Sequence, residues 1–578
     1  MKKILTYFKP YKTQSVLGPL FKLLEATFEL LVPFVVAAIV DNGLANQDKS
    51  YVVWACVILA GFGLFGFGFS VLAQYFSARA ATGVCADVRK DLFRKIQSLS
   101  YKDIDKIGEA TMLTRMTGDV DKLQSGINLF LRLFLRSPFI VFGAMICALV
   151  IDTQSFGVFA VTIVVLAIVV YAITLICMPL YKKTQGSLDK VLLSTRENLA
   201  GARVIRAFCM ENEERRQFEE RNNHLNKSNK FVGAIAAITN PLTYALINGA
   251  IIWLIYTGAI RVEAGLLTQG SVIALYNLMS QILIELIKLA NLTVSVTKAA
   301  ASGNRIEAVL EMQPSLEIIE TQTEAESANT EPFIVFDNVS LHYNEGADAA
   351  LENISFTVNK GETIGIIGGT GSGKTTLVNL IPHFYDVSGG QVRVCGKDVR
   401  EKDLQAFLRE RVGVVPQKAK LFKGSIRENL LWGKADATDE ELMSAARLAQ
   451  AEDVILGKGG LDAHVEQGGK NFSGGQKQRL TIARALVRNP EILILDDASS
   501  ALDYATDAEL RNAIRSLDVT TVIVSQRAAP VRNADKIIVL DEGKMVGIGT
   551  HNDLMEVCEV YREIYHSQYQ DGEEGGAV

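Results

Sequence analysis

The chain has 578 residues, 49% of them apolar, with 59 basic against 64 acidic side chains and a formal net charge of −5. That length predicts several domains, nothing in the near balance of charge suggests nucleic acid, and a positive mean hydropathy with this many charges is unusual for a soluble protein. Seven cysteines, at 56, 85, 147, 177, 209, 395 and 558, form no C-x-x-C pair, which argues against a disulfide framework or a zinc site and for a reducing compartment around the charged parts.

The start, MKKILTYFKPYK, is basic, but no small-residue cleavage site ends the apolar run after it, so no removable signal peptide is predicted. Ile4, Leu5 and Phe8 beside Lys2, Lys3 and Lys9 suit a short interfacial helix. Apolar runs of about 20 residues, the length that crosses a hydrocarbon core of about 30 Å, then recur. They predict six spans, near 16–40, 52–76, 127–151, 155–179, 232–260 and 269–296. The connections near 41–51, 152–154 and 261–268 are short and carry only Lys49 and Arg261 as bases. Those at 79–122 and 180–230 are long and hold Arg89, Lys90, Arg94, Lys95, Lys182, Lys183, Arg203, Arg206, Arg215 and Arg216. The positive-inside rule puts the long connections and both termini in the cytoplasm. Helical spacing over 80–100 and 180–200 predicts that spans continue beyond the lipid as rods, turning near 103–112 and 204–213. Two readings stand for these turns: seats on a cytoplasmic domain, or plain loops.

Charges inside the spans are few. Lys22, Glu25 and Glu29 fall in the first, Arg132 and Arg136 in the third, Glu285 and Lys288 in the sixth. Lys22 can reach Glu25, and Glu285 can reach Lys288, at i,i+3. Lys22 and the two arginines are expected to snorkel to the inner headgroups. The glutamates suit either a wet cavity or an interhelical pair.

After residue 312 the segment 313–331 turns polar and acidic, as a domain linker does. From Phe333 short β-rich runs alternate with helices, the pattern of an α/β domain over 332–570, followed by a tail, 571–578. GGTGSGKTT, Gly368 to Thr376, follows the strand-like ETIGII and opens the helix TTLVNLI. It fits G-x-x-x-x-G-K-[ST], in which Gly368, Gly369, Thr370, Gly371, Ser372 and Gly373 turn backbone N–H groups around an anion. Lys374 then reaches the β/γ-phosphates, Thr375 ligates Mg²⁺, and Thr376 continues the helix start. This loop predicts ATP and Mg²⁺ as ligands. Tyr343, after IVFDNVSL, offers a ring to stack on adenine, or serves as strand packing. Gln417, after RVGVVPQ, offers an amide oxygen to Mg²⁺ or to the attacking water. ILILD ends in Asp496, the Mg²⁺ partner expected beside a P-loop. Phe472, Ser473, Gly474, Gly475 and Gln476 open a second phosphate-binding helix start, superfluous for a single ATP site.

At these residues the chain resembles the nucleotide-binding domain of ABC transporters: Walker A at Gly368–Thr375, a Q-loop at Gln417, the signature FSGGQ, Walker B ILILD, and SALD at Ser500 to Asp503. TGDVD at 117–121, ENLAGARVIRAF at 197–208 and ASGNRIEAVL at 301–310 resemble the membrane half of ABC exporters, beside its coupling helices and at the end of its sixth span. The resemblance implies an α-helical six-span transmembrane domain with long cytoplasmic helix extensions over 1–312, followed by an ABC-type P-loop NTPase domain. It also implies a head-to-tail pair of such halves, with each ATP between one Walker A and the other signature.

Two positions depart from the family pattern. Asp497 stands where the family has the Glu that polarises the attacking water, and Gln526, after TTVIVS, stands where it has His. Losing one methylene draws a carboxylate back by about 1.5 Å, and a misplacement of about 1 Å can cost ~10²-fold in rate. Gln donates a hydrogen bond but takes no cationic form. The intact signature beside this weakened pair is similar to one half of a bacterial heterodimeric multidrug exporter. The expected partner is therefore a second, different half-transporter, in the bacterial cell membrane. The expected cargo is an amphiphilic drug, a lipid or a peptide. A slow homodimeric exporter and an ATP-gated regulatory subunit are the alternatives.

Overall fold

A computed structural model describes residues 2–320, 332–343, 346 and 348–569; most of the acidic stretch (321–331) and the tail 571–578 lie outside the described residues. The chain divides into two compact units, one of 1–97 and 109–312, the other of 98–108 and 313–578.

The first unit is helical. Among the described residues six helical stretches are long and apolar enough to cross a membrane: Lys9–Leu44, Lys49–Ser98, Glu109–Ile151, Thr153–Ala200, Glu211–Glu263 and Gln269–Glu311. At 1.5 Å per residue, the 50 residues of Lys49–Ser98 reach about 75 Å, well past a hydrocarbon core of about 30 Å. The rods expected beyond the lipid are there. Small residues let the helices approach. A Cβ on Gly126 would lie 2.1 Å from Ala299 Cβ, and one on Gly143 would lie 2.5 Å from Leu30 Cδ1. Phe21 and Phe28 stack on Phe69, while Phe65 and Phe67 stay exposed on the same helix.

The charged residues of the spans correct one expectation. Arg136 does not snorkel: it is buried at 5% exposure, at the start of the helix Arg136–Ile151. Its guanidinium binds Glu285 of Gln269–Glu311 and, at 2.6 Å, Glu29 of Lys12–Ala38, with Glu25 at 4.0 Å. Ser137 donates to Glu285 at 2.8 Å, and Lys288 reaches the same carboxylate at 2.8 Å. Lys22 is buried too, bonded to Glu25 and, at 3.3 Å, to Ser70. Residues that would each be costly alone in lipid thus neutralise one another, three acids against three bases. The forked guanidinium can serve acids from two helices at once, which a lysine cannot do in a fixed plane.

The second unit carries two main sheets. β1 (Ile334–Leu341), β2 (Leu351–Val358), β4 (Gly389–Val394) and β5 (Lys397–Asp398) form an antiparallel sheet in the order β2-β1-β4-β5. β3 (Thr363–Gly368), β6 (Val412–Val415), β9 (Ile492–Asp496), β10 (Thr520–Ser525), β11 (Lys536–Asp541) and β12 (Lys544–Gly549) form a sheet in the order β12-β11-β3-β10-β9-β6, parallel except for β12. Their short apolar runs are buried on both faces, as parallel strands require. A pair of two-residue strands, β7 (Gly424–Ser425) and β8 (His464–Val465), edges a separate helical layer. That layer packs Ile426, Leu430, Leu442, Val454, Ile455 and Leu480 together and supports the helix Gly474–Val487.

The short helix Tyr101–Ile107 belongs to this second unit rather than to the membrane unit, so the boundary differs from a single cut after 312. Ser100 caps it reciprocally with Asp103, whose carboxylate also accepts from the Ser315 N–H at 3.0 Å.

Replacing Arg136 with Met leaves Glu285 buried without its main cation. Arg136→Met is expected to lower stability by about 3 kcal/mol, and Arg136→Met with Glu285→Met to recover part of that loss. Thermal unfolding of the full-length chain in detergent measures both, and equal midpoints for Arg136→Met and the wild type would deny the cluster this role.

Candidate functional site

The C-terminal edge of the parallel sheet gathers the predicted residues. The loop 368–376 leaves β3, Asp496 ends β9 and Asp497 follows it, Gln526 follows β10, and Gln417 lies two residues past β6. This is the edge at which open α/β sheets bind ligands.

Within the loop, Gly373 has φ +94°, and a Cβ there would stand 2.7 Å from the Ala350 carbonyl. Only glycine meets both demands. The Lys374 ammonium lies over the loop, donating to the Gly368 and Gly369 carbonyls at 2.9 and 2.5 Å and to Ser372 Oγ at 3.3 Å. Burial lowers its pKa, against the opposing pull of Asp497 and Asp496. Thr375 Oγ1 lies 3.0 Å from each carboxylate oxygen of Asp496. Asp496 is buried, which raises its pKa; the Thr375 hydrogen bond opposes that shift and the neighbouring Asp497 charge adds to it.

Asp497 takes φ +47°, with its N–H bonded to the Val524 carbonyl at 3.0 Å. Its carboxylate accepts from the Gln417 amide at 3.3 Å. Gln526 accepts from Thr370 Oγ1 at 3.5 Å, which places its amide beside the phosphate loop. Six of the predicted groups therefore converge, although Gln417 and Asp497 are 80 residues apart and Thr375 and Asp496 are 121 apart.

Tyr343 lies beside the loop, its hydroxyl sharing a hydrogen bond with Thr376 Oγ1 at 2.9 Å, and its ring stands edge-on to Tyr385 at 5.4 Å. Tyr385 went unnoticed in the sequence reading. Its only sequence signal is an aromatic pair, Phe384–Tyr385, ten residues past Lys374, and a pair of aromatics in a loop is not specific.

The signature residues stand apart from this cluster. Phe472 is buried in the helical layer, while Ser473 and Gly474 are exposed. Ser473 Oγ accepts from the Gln476 N–H at 3.3 Å, and Gln476 returns the bond to the Ser473 N–H at 3.0 Å. This capping box presents the start of a 14-residue helix, with its free N–H groups and positive dipole end, to solvent. A Cβ on Gly475 would stand 2.9 Å from the Ala501 carbonyl, so glycine brings this helix close to the loop after Asp497.

Comparison with known proteins agrees with this geometry. A family profile described as ABC transporter transmembrane region matches residues 15–286, and one described as ABC transporter matches 351–500. The chain is 35% identical over 577 residues to the uncharacterized ABC transporter ATP-binding protein YfiB of Bacillus subtilis (strain 168), covering 100% of this chain and 99% of that one. This chain belongs to the ABC transporter family. It is also 30% identical over 597 residues to the putative multidrug export ATP-binding/permease protein YgaD of the same organism, covering 98% of this chain and 99% of YgaD. The structure of a bacterial Atm1-family ABC exporter with ATP bound superposes with a TM-score of 0.81 at 22% identity, covering 97% of this chain and 99% of the other. The transporter thus shares the exporter fold, with a multi-pass membrane domain and an ABC ATP-binding domain in one chain.

Gly373→Ala is expected to destabilise the second unit by about 1–3 kcal/mol through backbone strain. Gly369→Ala, at a position with nothing within 4 Å and no positive φ, is expected to leave stability near that of the parent. Thermal unfolding of the two variants side by side checks this.

Proposed function

We propose that this transporter is one half of an ATP-driven exporter whose own P-loop holds ATP and hydrolyses it slowly. The carrying observation is the pair Asp497 and Gln526, set beside an otherwise fully furnished phosphate loop. Lys374 supplies the phosphate cation and Tyr343 the base platform. Asp497, bonded to Gln417, is the carboxylate assigned here to orienting water. It is one methylene shorter than the family's glutamate, and a general base must first be within hydrogen-bond reach. Gln526 holds a neutral amide where a histidine would carry a proton.

The Thr375 and Asp496 oxygens fit Mg²⁺. They lie 3.0 Å apart, close to the separation of two neighbours in an octahedron with metal–oxygen distances of about 2.1 Å. Gln417 is the third protein group in reach of that position, and phosphate oxygens would complete the shell. Bound there, Mg²⁺ neutralises β- and γ-phosphate charge. Thr375 and Asp496 would hold it in place, while Lys374 orients the phosphates.

The signature helix start is open to solvent at Ser473 and Gly474, which supports a role for Ser473, Gly474, Gly475 and Gln476 on the ATP of a second half-transporter. The turn at 201–210 supports a second chain as well: Val204 and Phe208 are 60% and 74% exposed around the helix Ala202–Ala207. The intact signature beside the weakened site favours a different half, with Glu and His at the two positions and a damaged signature, over a second copy. Similarity to YgaD supports outward movement of amphiphilic drugs, with lipids or peptides as further cargo. The long basic connections support a cytoplasmic nucleotide-binding unit and cytoplasmic termini in a bacterial cell membrane.

Asp497→Glu combined with Gln526→His is expected to raise ATP hydrolysis by the purified full-length chain at least about tenfold, with ATP affinity little changed. Steady-state hydrolysis and nucleotide titration measure this. Full exporter rates for the unaltered chain alone, with Gln526→Ala harmless and Asp497→Asn inactive, would falsify the slow-site reading.

A further inference from the structure

The helix Glu559–Gln568 is anchored by Tyr561, which is fully buried among Ala528, Val531, Ile537, Val539 and Leu554 and shares a hydrogen bond with His551 at 2.8 Å. Ile564 and Tyr565, one turn on, pack against the same cluster. Gln568 lies two turns past Tyr561 and so returns to the same face of the helix. It ends this apolar stripe with an exposed amide.

That amide makes two hydrogen bonds, both to the backbone just after β10. Its Nε2 donates to the Gln526 carbonyl at 2.9 Å, and its Oε1 accepts from the Ala528 N–H at 2.8 Å. Arg527 between them is extended, with φ −100° and ψ 142°. In an extended segment the carbonyl of one residue and the N–H two residues on point to the same side. A primary amide carries donor and acceptor in one plane, so it pairs with both as a neighbouring strand would. Other groups hold the flanking positions. The Arg527 N–H donates to Ser525 Oγ at 2.9 Å, and Arg511 of the helix Tyr504–Arg515 donates to the Ala529 carbonyl at 3.1 Å. The Arg527 guanidinium lies over the Tyr504 ring at 5.9 Å. Among the described residues, Gln568 is the partner that reaches the Gln526 carbonyl itself.

We propose that Gln568 is a positioning residue for the nucleotide site. By pairing with the backbone at 526 and 528 it keeps the Gln526 amide at the phosphate loop, beside Thr370. Gln526 follows the strand next to β9, after which Asp497 is assigned to the water that attacks the γ-phosphate, so the terminal phosphate is the part of ATP this amide meets. Gln568 therefore sets how well the site tells ATP from ADP. This rests on the reading of Gln526 as a contact of bound ATP and names the group that fixes it. Alanine at 568 removes both bonds and, at an exposed position, leaves the buried face of the helix intact. Glutamate keeps the acceptor for Ala528 but sets a carboxylate oxygen against the Gln526 carbonyl.

Titration of the full-length chain with non-hydrolysable Mg-AMPPNP and with Mg-ADP tests this, alongside thermal unfolding of each variant. Gln526→Ala is expected to lower the preference for AMPPNP over ADP by about fivefold, and Gln568→Ala and Gln568→Glu by about threefold each. ADP affinity and the unfolding midpoint should stay at the parent values in all three. Gln526→Ala combined with Gln568→Ala should lose no more than Gln526→Ala alone, because the second residue acts through the first. An unchanged preference in both Gln568 variants, while Gln526→Ala lowers it, overturns the role of Gln568 and leaves the reading of Gln526 standing. Equal loss of affinity for the two nucleotides, or full additivity in the double variant, also overturns it, since a merely structural residue would behave so. If Gln526→Ala leaves the preference unchanged, the reading of Gln526 fails and the role of Gln568 with it.

Discussion

The parallel register of β3, β10 and β9 is the constraint on which the nucleotide-binding unit depends. Ser525 pairs with Ile367, and Val524 pairs with Asp496, so the three strands end level. Whatever follows each strand must then emerge at one edge: the phosphate loop from β3, Asp497 from β9, Gln526 from β10. Strand ends held by ladder hydrogen bonds do not drift to accommodate a shorter side chain. Asp497 follows the last residue of β9 and is tied back to β10 by its N–H to the Val524 carbonyl at 3.0 Å, so its backbone is fixed beside the loop.

The two units treat charge differently, and the difference follows from their solvents. In the membrane unit Arg136, Glu29, Glu285, Lys22, Glu25 and Lys288 neutralise one another across three helices, because an unmatched ion in hydrocarbon is costly. In the nucleotide-binding unit Lys374 and Asp496 are buried at 8% and 6% exposure without a mutual ion pair among the described contacts. The lysine faces loop carbonyls and the carboxylate faces a hydroxyl. That arrangement leaves the two charges uncommitted to each other, as the roles proposed for them on phosphate and Mg²⁺ require.

Much of the site was legible because its chemistry is local. A phosphate loop is a contiguous run with required glycines, Walker B is a strand with a carboxylate at its end, and the signature is a capped helix start. Asp497 and Gln526 were legible as candidates for the same reason, each lying just after a readable strand. Arg136 was misread because hydropathy places a residue in depth but not in azimuth: it opens the helix Arg136–Ile151, and only packing decides whether it points to lipid or to Glu285. Tyr385 was missed because its partners, Tyr343 and Asp105, lie 42 residues before it and 280 residues before it.

By itself the sequence determined six membrane helices, an α/β domain behind them, and a nucleotide-binding loop. Each of these rests on contiguous residues or on a short period, and so survives without knowledge of the fold. Only the tertiary structure decided that Arg136 joins three helices, that residues 98–108 belong with the nucleotide-binding unit, and that Tyr343 touches Tyr385. Those facts depend on which surfaces meet, and pairing over tens to hundreds of residues is set by packing and strand register rather than by any local pattern.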